Sequence, residues 1–177
     1  GGFTAGPGGL AAWLLRRPLV IHEQNAIAGM TNQWLSHLAE TTLEAFPGAF
    51  GEKTVTRCTG NPVRQDLIQL PAPAERVGRE ARLKLLILGG SRGARAINEV
   101  VPQSLAQLGN DQKVVVWHQC GGDHLDETGR AYAEAGLEAD VVVFIENMTE
   151  AYRWADLVVC RAGALTLAEL ACVGVGS

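Results

Sequence analysis

The sequence predicts an α/β protein built on parallel sheets, and three observations carry that expectation. Short runs of nearly pure Leu, Val and Ile recur, at Leu19–Ile21, Leu83–Leu88, Lys113–Trp117, Val141–Ile145 and Leu157–Cys160. Continuous apolar runs of that length mark strands buried on both faces. Stretches with helical spacing alternate with them, which is the pattern of βα units and a parallel sheet. Finally, glycines and polar residues gather where strands would end, at Gly1–Gly9, His22–Asn25, Asn61–Arg64, Gly89–Gly93, Phe144–Asn147 and Arg161–Thr166. Open parallel sheets bind ligands beyond the carboxyl ends of their strands, so this split between apolar strands and polar ends predicts a functional cleft.

Taken in order, Gly1 to Gly9 holds five glycines and one proline and runs into Leu10–Leu15, an apolar helix closed by Arg16-Arg17-Pro18. Leu19–Ile21 is a short strand with the polar tip His22-Glu-Gln-Asn25. Thr31 to Leu38 follows as a helix, with Trp34, Leu35 and Leu38 on one face. Thr41–Phe46 is a strand, Pro47-Gly48 a turn, and Val55–Thr59 a strand that delivers Gly60-Asn-Pro-Val-Arg64. Residues 67–82 change character, with Pro71, Pro73 and a run of Glu and Arg, and are expected to connect two domains. Beyond them come strand 83–88, a loop Gly89-Gly-Ser-Arg-Gly93, and a helix over 94–108 with Ile97, Val100, Val101 and Leu105 inward and Pro102 within it. Strand 113–117, helix 123–135, strand 141–145, helix 148–154, strand 157–160 and helix 164–173 complete the chain.

At 177 residues, 47% hydrophobic and 19% charged, the composition is that of a globular protein with one good core or two small ones. A net charge of -4 gives no general footing for nucleic acid. Cys58, Cys120, Cys160 and Cys172 contain no C-x-x-C pair, so neither a zinc ribbon nor a redox motif is supported, and a reducing compartment is expected. His22-Glu23 lacks the second His of a zincin, and His37, His118 and His124 belong to no ligand cluster, so no metal is expected. No apolar run approaches the roughly 18 residues needed to span a bilayer. The chain opens on Gly1-Gly2 without an initiator Met and stops at Gly174–Ser177, where a further strand is due, and it is expected to be an internal fragment of a longer protein.

The stretch with the most chemistry is Cys160-Arg-Ala-Gly-Ala-Leu-Thr-Leu-Ala-Glu169. A strand that passes through Gly163 into a helix presents unpaired amides and the positive end of the helix dipole, suited to a diphosphate. Glu169 lies about one and a half turns in, roughly 7–9 Å along the axis, within reach of a ribose diol. The alternative is an ordinary strand–turn–helix with Glu169 on a solvated face. Gly6-x-Gly8-x-x-Ala11, with Glu23 at the end of the next strand, fits the looser dinucleotide fingerprint and supplies a rival, an NAD(P)- or FAD-dependent oxidoreductase. Trp13-Leu-Leu-Arg-Arg17 fits either a buried helix or a patch lying on an anionic membrane.

Together the segments resemble the MurG family of bacterial glycosyltransferases. The resemblance rests on Gly6-Pro-Gly-Gly-Leu-Ala-Ala12, His22-Glu-Gln-Asn25 with Ala28-Gly29 and Thr31-Asn32, Ala45-Phe-Pro47, Gly60-Asn-Pro-Val-Arg64, Gly89-Gly-Ser91 with Gly93-Ala94, and Arg161-Ala-Gly-Ala164 with Thr166 and Glu169. It implies a GT-B type α/β fold of two facing Rossmann-like domains with parallel sheets, each partly present. Residues 1–66 would be the later part of the lipid-acceptor domain, 67–82 the connection, and 83–177 the first part of the donor domain. It implies inverting transfer of N-acetylglucosamine from UDP-GlcNAc to the 4-hydroxyl of the muramoyl sugar of lipid I, giving lipid II. No cofactor is implied, and the protein would sit peripherally on the cytoplasmic face of the bacterial inner membrane. Donor contacts carried over by the resemblance are Asn25, Arg64, Ser91, Ile145, Ala164, Leu165, Thr166, Leu167, Ala168 and Glu169. Ile145 would meet uracil through its backbone, the Ala164–Thr166 amides the diphosphate, and Glu169 the ribose. Gly6, Gly8 and Gly9 would form an acceptor-side loop. Arg92 stands where the family usually has Gln, and Asn147 where an acid is common. The general base stays open, with Glu23 and His22 as candidates in this chain. A related rival is another GT-B enzyme such as a UDP-sugar epimerase.

Overall fold

The structure, a computed structural model, describes residues 4–76, 82–90, 93–108 and 114–177. The chain divides into two compact units, Gly1–Pro62 and Val63–Ser177.

The first unit runs α1 (Ala5–Leu14), β1 (Val20–Glu23), α2 (Met30–Ser36), β2 (Thr41–Glu44) and β3 (Arg57–Cys58). Its strands pair in parallel in the order β1-β2-β3, with Glu23 opposite Glu44. The expected strand 19–21 thus extends through His22 and Glu23, because the ladder with β2 continues to the strand tips. Gly6, Gly8 and Gly9, expected in a loop, lie instead in the first turns of α1. Two facts permit this. Pro7 sits where a helix has no intrahelical partner for an N–H, so it forfeits no bond. Gly9 is where α2 comes close: a Cβ there would lie 2.6 Å from Leu35 Cδ2. The helix closes before Pro18, through Arg16 N–H to Trp13 O (2.9 Å) and Arg17 N–H to Ala12 O (2.9 Å). That pair of bonds is a Schellman motif, with Arg16 in the left-handed conformation at φ 51.

The apolar part of α1 is not buried among the described residues: Trp13 is 48% and Leu15 73% exposed. Trp34, expected to share a face with Leu35, is 68% exposed, whereas Leu35 is buried. The buried positions of α2 are Asn32 and Leu35, a spacing of three that defines its inner face and turns Trp34 away.

The second unit begins with two short helices, α3 (Gln65–Ile68) and α4 (Pro73–Arg76), within and beside the segment expected to be a connection. Leu67 of α3 is buried in this unit's core beside Leu170 and Val173. Then follow β4 (Leu83–Leu88), α5 (Arg95–Gln107), β5 (Val114–Gln119), α6 (Leu125–Glu134), β6 (Ala139–Val142), α7 (Met148–Trp154), β7 (Leu157–Cys160) and α8 (Ala164–Val173). All strand pairs are parallel, in the order β6-β5-β4-β7. Side chains alternate across a strand, so β4 serves both faces. Leu86 and Leu88 join Tyr152, Val158, Leu170 and Val173 on one side. Leu85 and Ile87 join Val116 and Tyr132 on the other, against Ile97, Val101 and Leu105 of α5. Val100, expected inward, is exposed, and the buried positions of α5 are Asn98 and Pro102. Asn98 turns inward because it has partners there. It donates to Cys120 O at 2.9 Å and accepts from His118 Nε2 at 3.0 Å. Tyr132 O–H then donates to His118 Nδ1 at 2.9 Å. His118 is therefore a neutral core histidine, and burial holds its pKa down at about 4.

The α/β class with parallel sheets is borne out in both units. No described helix is long and apolar enough to cross a membrane.

Candidate functional site

The sheet order β6-β5-β4-β7 places the site. From β4 the chain crosses one way to β5 and β6, and β7 returns on the other side. The gap beyond β4 and β7 is the topological switch point, where ligands of doubly wound sheets bind. A cleft of about 570 Å3 opens there, lined among others by Gly89 and Gly90 after β4, Arg161–Gly163 after β7, and Thr166 and Glu169 on α8. That volume suits a nucleotide-sized ligand. Gly89 passes close against the end of β5, which leaves no room for a side chain: a Cβ would sit 2.8 Å from Gln119 O, the carbonyl that accepts the Gly89 N–H at 3.0 Å.

Helix α8 starts on the floor of this cleft. Gly163 is its N-cap in extended conformation, with no side-chain cap, so the positive end of the helix dipole borders the cleft. Glu169 lies further along the same helix with its side chain 14% exposed. Tyr152 O–H donates to its Oε2 at 3.1 Å, and Arg64 Nε donates to its Oε1 at 3.2 Å. Burial, reinforced by the negative Glu169, pushes the Tyr152 phenol well above its ordinary range, so it stays a donor. Burial also pushes the Cys160 thiol up, which keeps it protonated and a poor nucleophile.

Of the residues expected in a donor site, Arg64, Ile145, Thr166 and Glu169 border this one cleft. Arg64 is the N-cap of α3 and Ile145 is buried below the cleft. The Ile145 N–H donates to Gln119 Oε1 at 3.0 Å. Ala164, Leu165, Leu167 and Ala168 belong to the same helix, with Leu165 and Leu167 exposed. Ser91 lies outside the described residues. Asn147 is the N-cap of α7, its side chain accepting the Glu150 N–H at 3.1 Å. Asp or Asn performs that task equally, which accounts for an Asn where an acid is common. Tyr152 and Gln119 carry no signal in the sequence: one lies in a short mixed helix remote in sequence from Glu169, the other at the end of a strand.

In the first unit, Asn25 is exposed after β1 and held by Glu23, whose carboxylate is almost fully enclosed. Glu23 Oε1 accepts from Asn25 N (3.0 Å) and Nδ2 (2.9 Å), and Oε2 from Gly29 N (3.1 Å) and Asn32 Nδ2 (2.9 Å). Burial alone would raise its pKa, but these bonds outweigh it and hold the carboxyl below its ordinary value. A carboxylate so engaged is a poor proton acceptor and has no lone pair to spare for a ribose. With Gly6 and Gly8 inside α1, both features behind the dinucleotide fingerprint are otherwise employed. His22 Nε2 donates to Gly60 O at 3.0 Å and is likewise engaged in the fold.

Fold and cleft together define a doubly wound α/β protein with an open cleft at its switch point. The C-terminal domain of glycosyltransferase family 28 matches residues 84–177 and the N-terminal domain of that family residues 1–44. The chain belongs to glycosyltransferase family 28, and its resemblance to the MurG family stands. Two relatives carry the name UDP-N-acetylglucosamine--N-acetylmuramyl-(pentapeptide) pyrophosphoryl-undecaprenol N-acetylglucosamine transferase. The one from Marinobacter nauticus is 57% identical over all of this chain and 49% of its own length. The one from Nitrosococcus oceani is 54% identical over all of this chain and 50% of its own. The crystal structure of Acinetobacter baumannii MurG is similar with a TM-score of 0.76 at 44% identity, covering 98% of this chain and 48% of that one. The chain thus spans about half the length of the relatives it matches.

Proposed function

We propose that the second unit carries the UDP-sugar site of an inverting N-acetylglucosaminyltransferase. The complete enzyme would transfer the sugar from UDP-GlcNAc to the 4-hydroxyl of the muramoyl residue of lipid I, forming lipid II. The observation that supports this best is the switch-point cleft, where a helix N-terminus, a glycine-floored strand gap and a carboxylate a turn and a half along the helix converge. In this reading the amides of Ala164, Leu165 and Thr166 receive the diphosphate and Glu169 the ribose hydroxyls. Leu167 and Ala168 set the spacing between them. The uracil lies beside Ile145. Its N–H is occupied by Gln119, so the base would be read through the Ile145 carbonyl or the Gln119 amide. As the glycosidic bond breaks, negative charge grows on UDP, and a fixed helix end stabilises it without reorganising. Asn25 and Ser91 are assigned to the sugar and Arg64 to the nucleotide. Gly6, Gly8 and Gly9, now the start of α1, are assigned to the lipid-linked diphosphate. Glu23 is too fully engaged to be the base, whose identity is left unassigned.

The exposed Trp13–Leu15 end of α1 adjoins Arg16 and Arg17, an apolar tip with positive charge. It fits an anionic bilayer surface and supports peripheral attachment at the cytoplasmic face of the inner membrane. Calorimetric titration with UDP tests the donor site: saturable binding of UDP and none of NAD is expected, and the reverse overturns it. The chain alone is expected to bind UDP without producing lipid II. Sedimentation with vesicles containing anionic lipid tests the α1 tip, and loss of co-sedimentation is expected for Trp13→Ala with Arg16→Ala and Arg17→Ala.

A further inference from the structure

The two partners of Glu169 differ in a way that assigns them different tasks. Tyr152 is wholly enclosed, at 0% exposure, on α7 in the core beneath the cleft. Arg64 is at the rim, its side chain 54% exposed. An exposed ion pair is worth little and is easily exchanged. A buried phenol whose acceptor is removed bears the full cost of desolvation, so its bond persists through any change at the surface. Of the two carboxylate oxygens, Oε2 is therefore fixed and Oε1 exchangeable.

We propose that Tyr152 is a positioning residue of the donor site: it anchors Glu169 Oε2 from below, so that the carboxylate exchanges Arg64 for the hydroxyls of a ribose. This rests on the donor-site reading and extends it to a residue at the base of the cleft that acts on the ribose through Glu169. Held by one oxygen, the carboxylate has one rotamer and one direction of approach, and a vicinal diol meets it already aligned. Without the anchor it swings between Arg64 and solvent, and the order imposed on binding must come from the ligand.

The consequence is specific to the sugar hydroxyls, which separates positioning from packing. The unsubstituted chain is expected to bind UDP about tenfold more tightly than 2′,3′-dideoxy-UDP, as loss of charge-assisted hydrogen bonds predicts. Tyr152→Phe keeps the ring in the core and removes only the hydroxyl. It is expected to cut that preference to about threefold or less while leaving affinity for the dideoxy compound within about twofold. In a Glu169→Ala background the same change should do nothing further, since residues acting through one contact are not additive. A Tyr152→Phe chain that keeps the full preference overturns the inference alone, as does one that loses affinity for both compounds equally. Failure of the unsubstituted chain to bind UDP at all overturns the donor-site reading with it.

Discussion

The carboxyl ends of the strands are built in opposite ways in the two units. In the first, β1 and β2 end in the register pair Glu23 and Glu44, both buried. Each carboxylate gathers in the loop that follows. Glu23 takes Asn25, Gly29 and Asn32, and Glu44 Oε1 takes Gly48 N (3.1 Å) and Thr56 Oγ1 (2.8 Å). In the second, β4 ends in Leu88, followed by Gly89-Gly90, and β7 in Cys160, none with a charge, and the space above them is open. The carboxylate that borders this space, Glu169, sits on a helix instead and reaches the cleft with an exchangeable oxygen. Placing acid on the strand seals a loop, whereas placing it on the helix beyond leaves a ligand site. Acid itself is therefore no guide to function in such sheets; what its oxygens already hold is.

Acidification should separate the units most strongly. His118 in the second unit has a folded pKa of about 4 against 6.5 unfolded. Below pH 6.5 the unfolded chain takes a proton that the folded chain refuses, so this contribution is whole above pH 6.5. It is lost as pH falls, by about 3 kcal/mol at pH 4. Glu23 and Glu44 have folded values below the ordinary 4.5, burial notwithstanding, because hydrogen bonds favour the charged form. Their contribution is present above pH 4.5 and is lost only below it. Amide exchange between pH 7 and pH 5, corrected for intrinsic rates, should show protection falling in β4 and β5 and holding in β1 and β2. Equal loss in both would break the contrast.

Next in size is the seal itself. Glu23→Ala leaves the buried Asn32 amide with only one of its two acceptors, His22 O at 3.2 Å, and frees the loop from Asn25 to Gly29. A loss of about 2–3 kcal/mol in urea unfolding of the first unit is expected, with UDP affinity unchanged. A fall in UDP affinity would mean that the first-unit carboxylate serves the ligand after all. Glu169→Ala should weaken UDP binding by about tenfold, or ~1.4 kcal/mol; because it also takes the acceptor from the buried Tyr152 hydroxyl, the second unit is expected to lose about 1–3 kcal/mol in stability while the first is unchanged. Unchanged affinity would remove the ribose role.

How much of this was legible in the sequence follows the same division. β4, α7, β7 and α8 begin and end where the apolar runs and Gly163 say they should, because strands buried on both faces advertise themselves without help from distant residues. The first unit reads less well. Its strand tips are polar yet buried, and Trp34 faces solvent while Asn32 faces in, since the hydrogen bonds to Glu23 decide the inner face of α2 and no periodicity encodes them. Gly6 to Gly9 read as a loop because glycine breaks helices on average. Here Gly9 is required for the approach of α2. At the cleft, the turn through Gly163 and the spacing to Glu169 are visible in ten consecutive residues, but Tyr152 and Gln119 reach the site only through the packing of α7 and β5, which the linear sequence does not display.

The smallest expected effect concerns Arg64, and it discriminates best between a structural and a ligand-directed role for the ion pair. Its guanidinium is half exposed and meets Glu169 through Nε at 3.2 Å. Such a bridge contributes less than about 0.5 kcal/mol, since solvent screens the attraction and ordering a long side chain opposes it. Arg64→Ala should therefore leave urea unfolding of the second unit nearly unchanged, because Tyr152 continues to satisfy the buried carboxylate oxygen. UDP affinity should nonetheless drop severalfold, since a cation at the rim of a diphosphate site acts on the ligand, and the drop should shrink as salt is raised. Should stability fall by a kilocalorie or more with UDP affinity intact, the bridge would be part of the fold. The second unit would then resemble the first, with its carboxylate committed to the protein and not to a ligand.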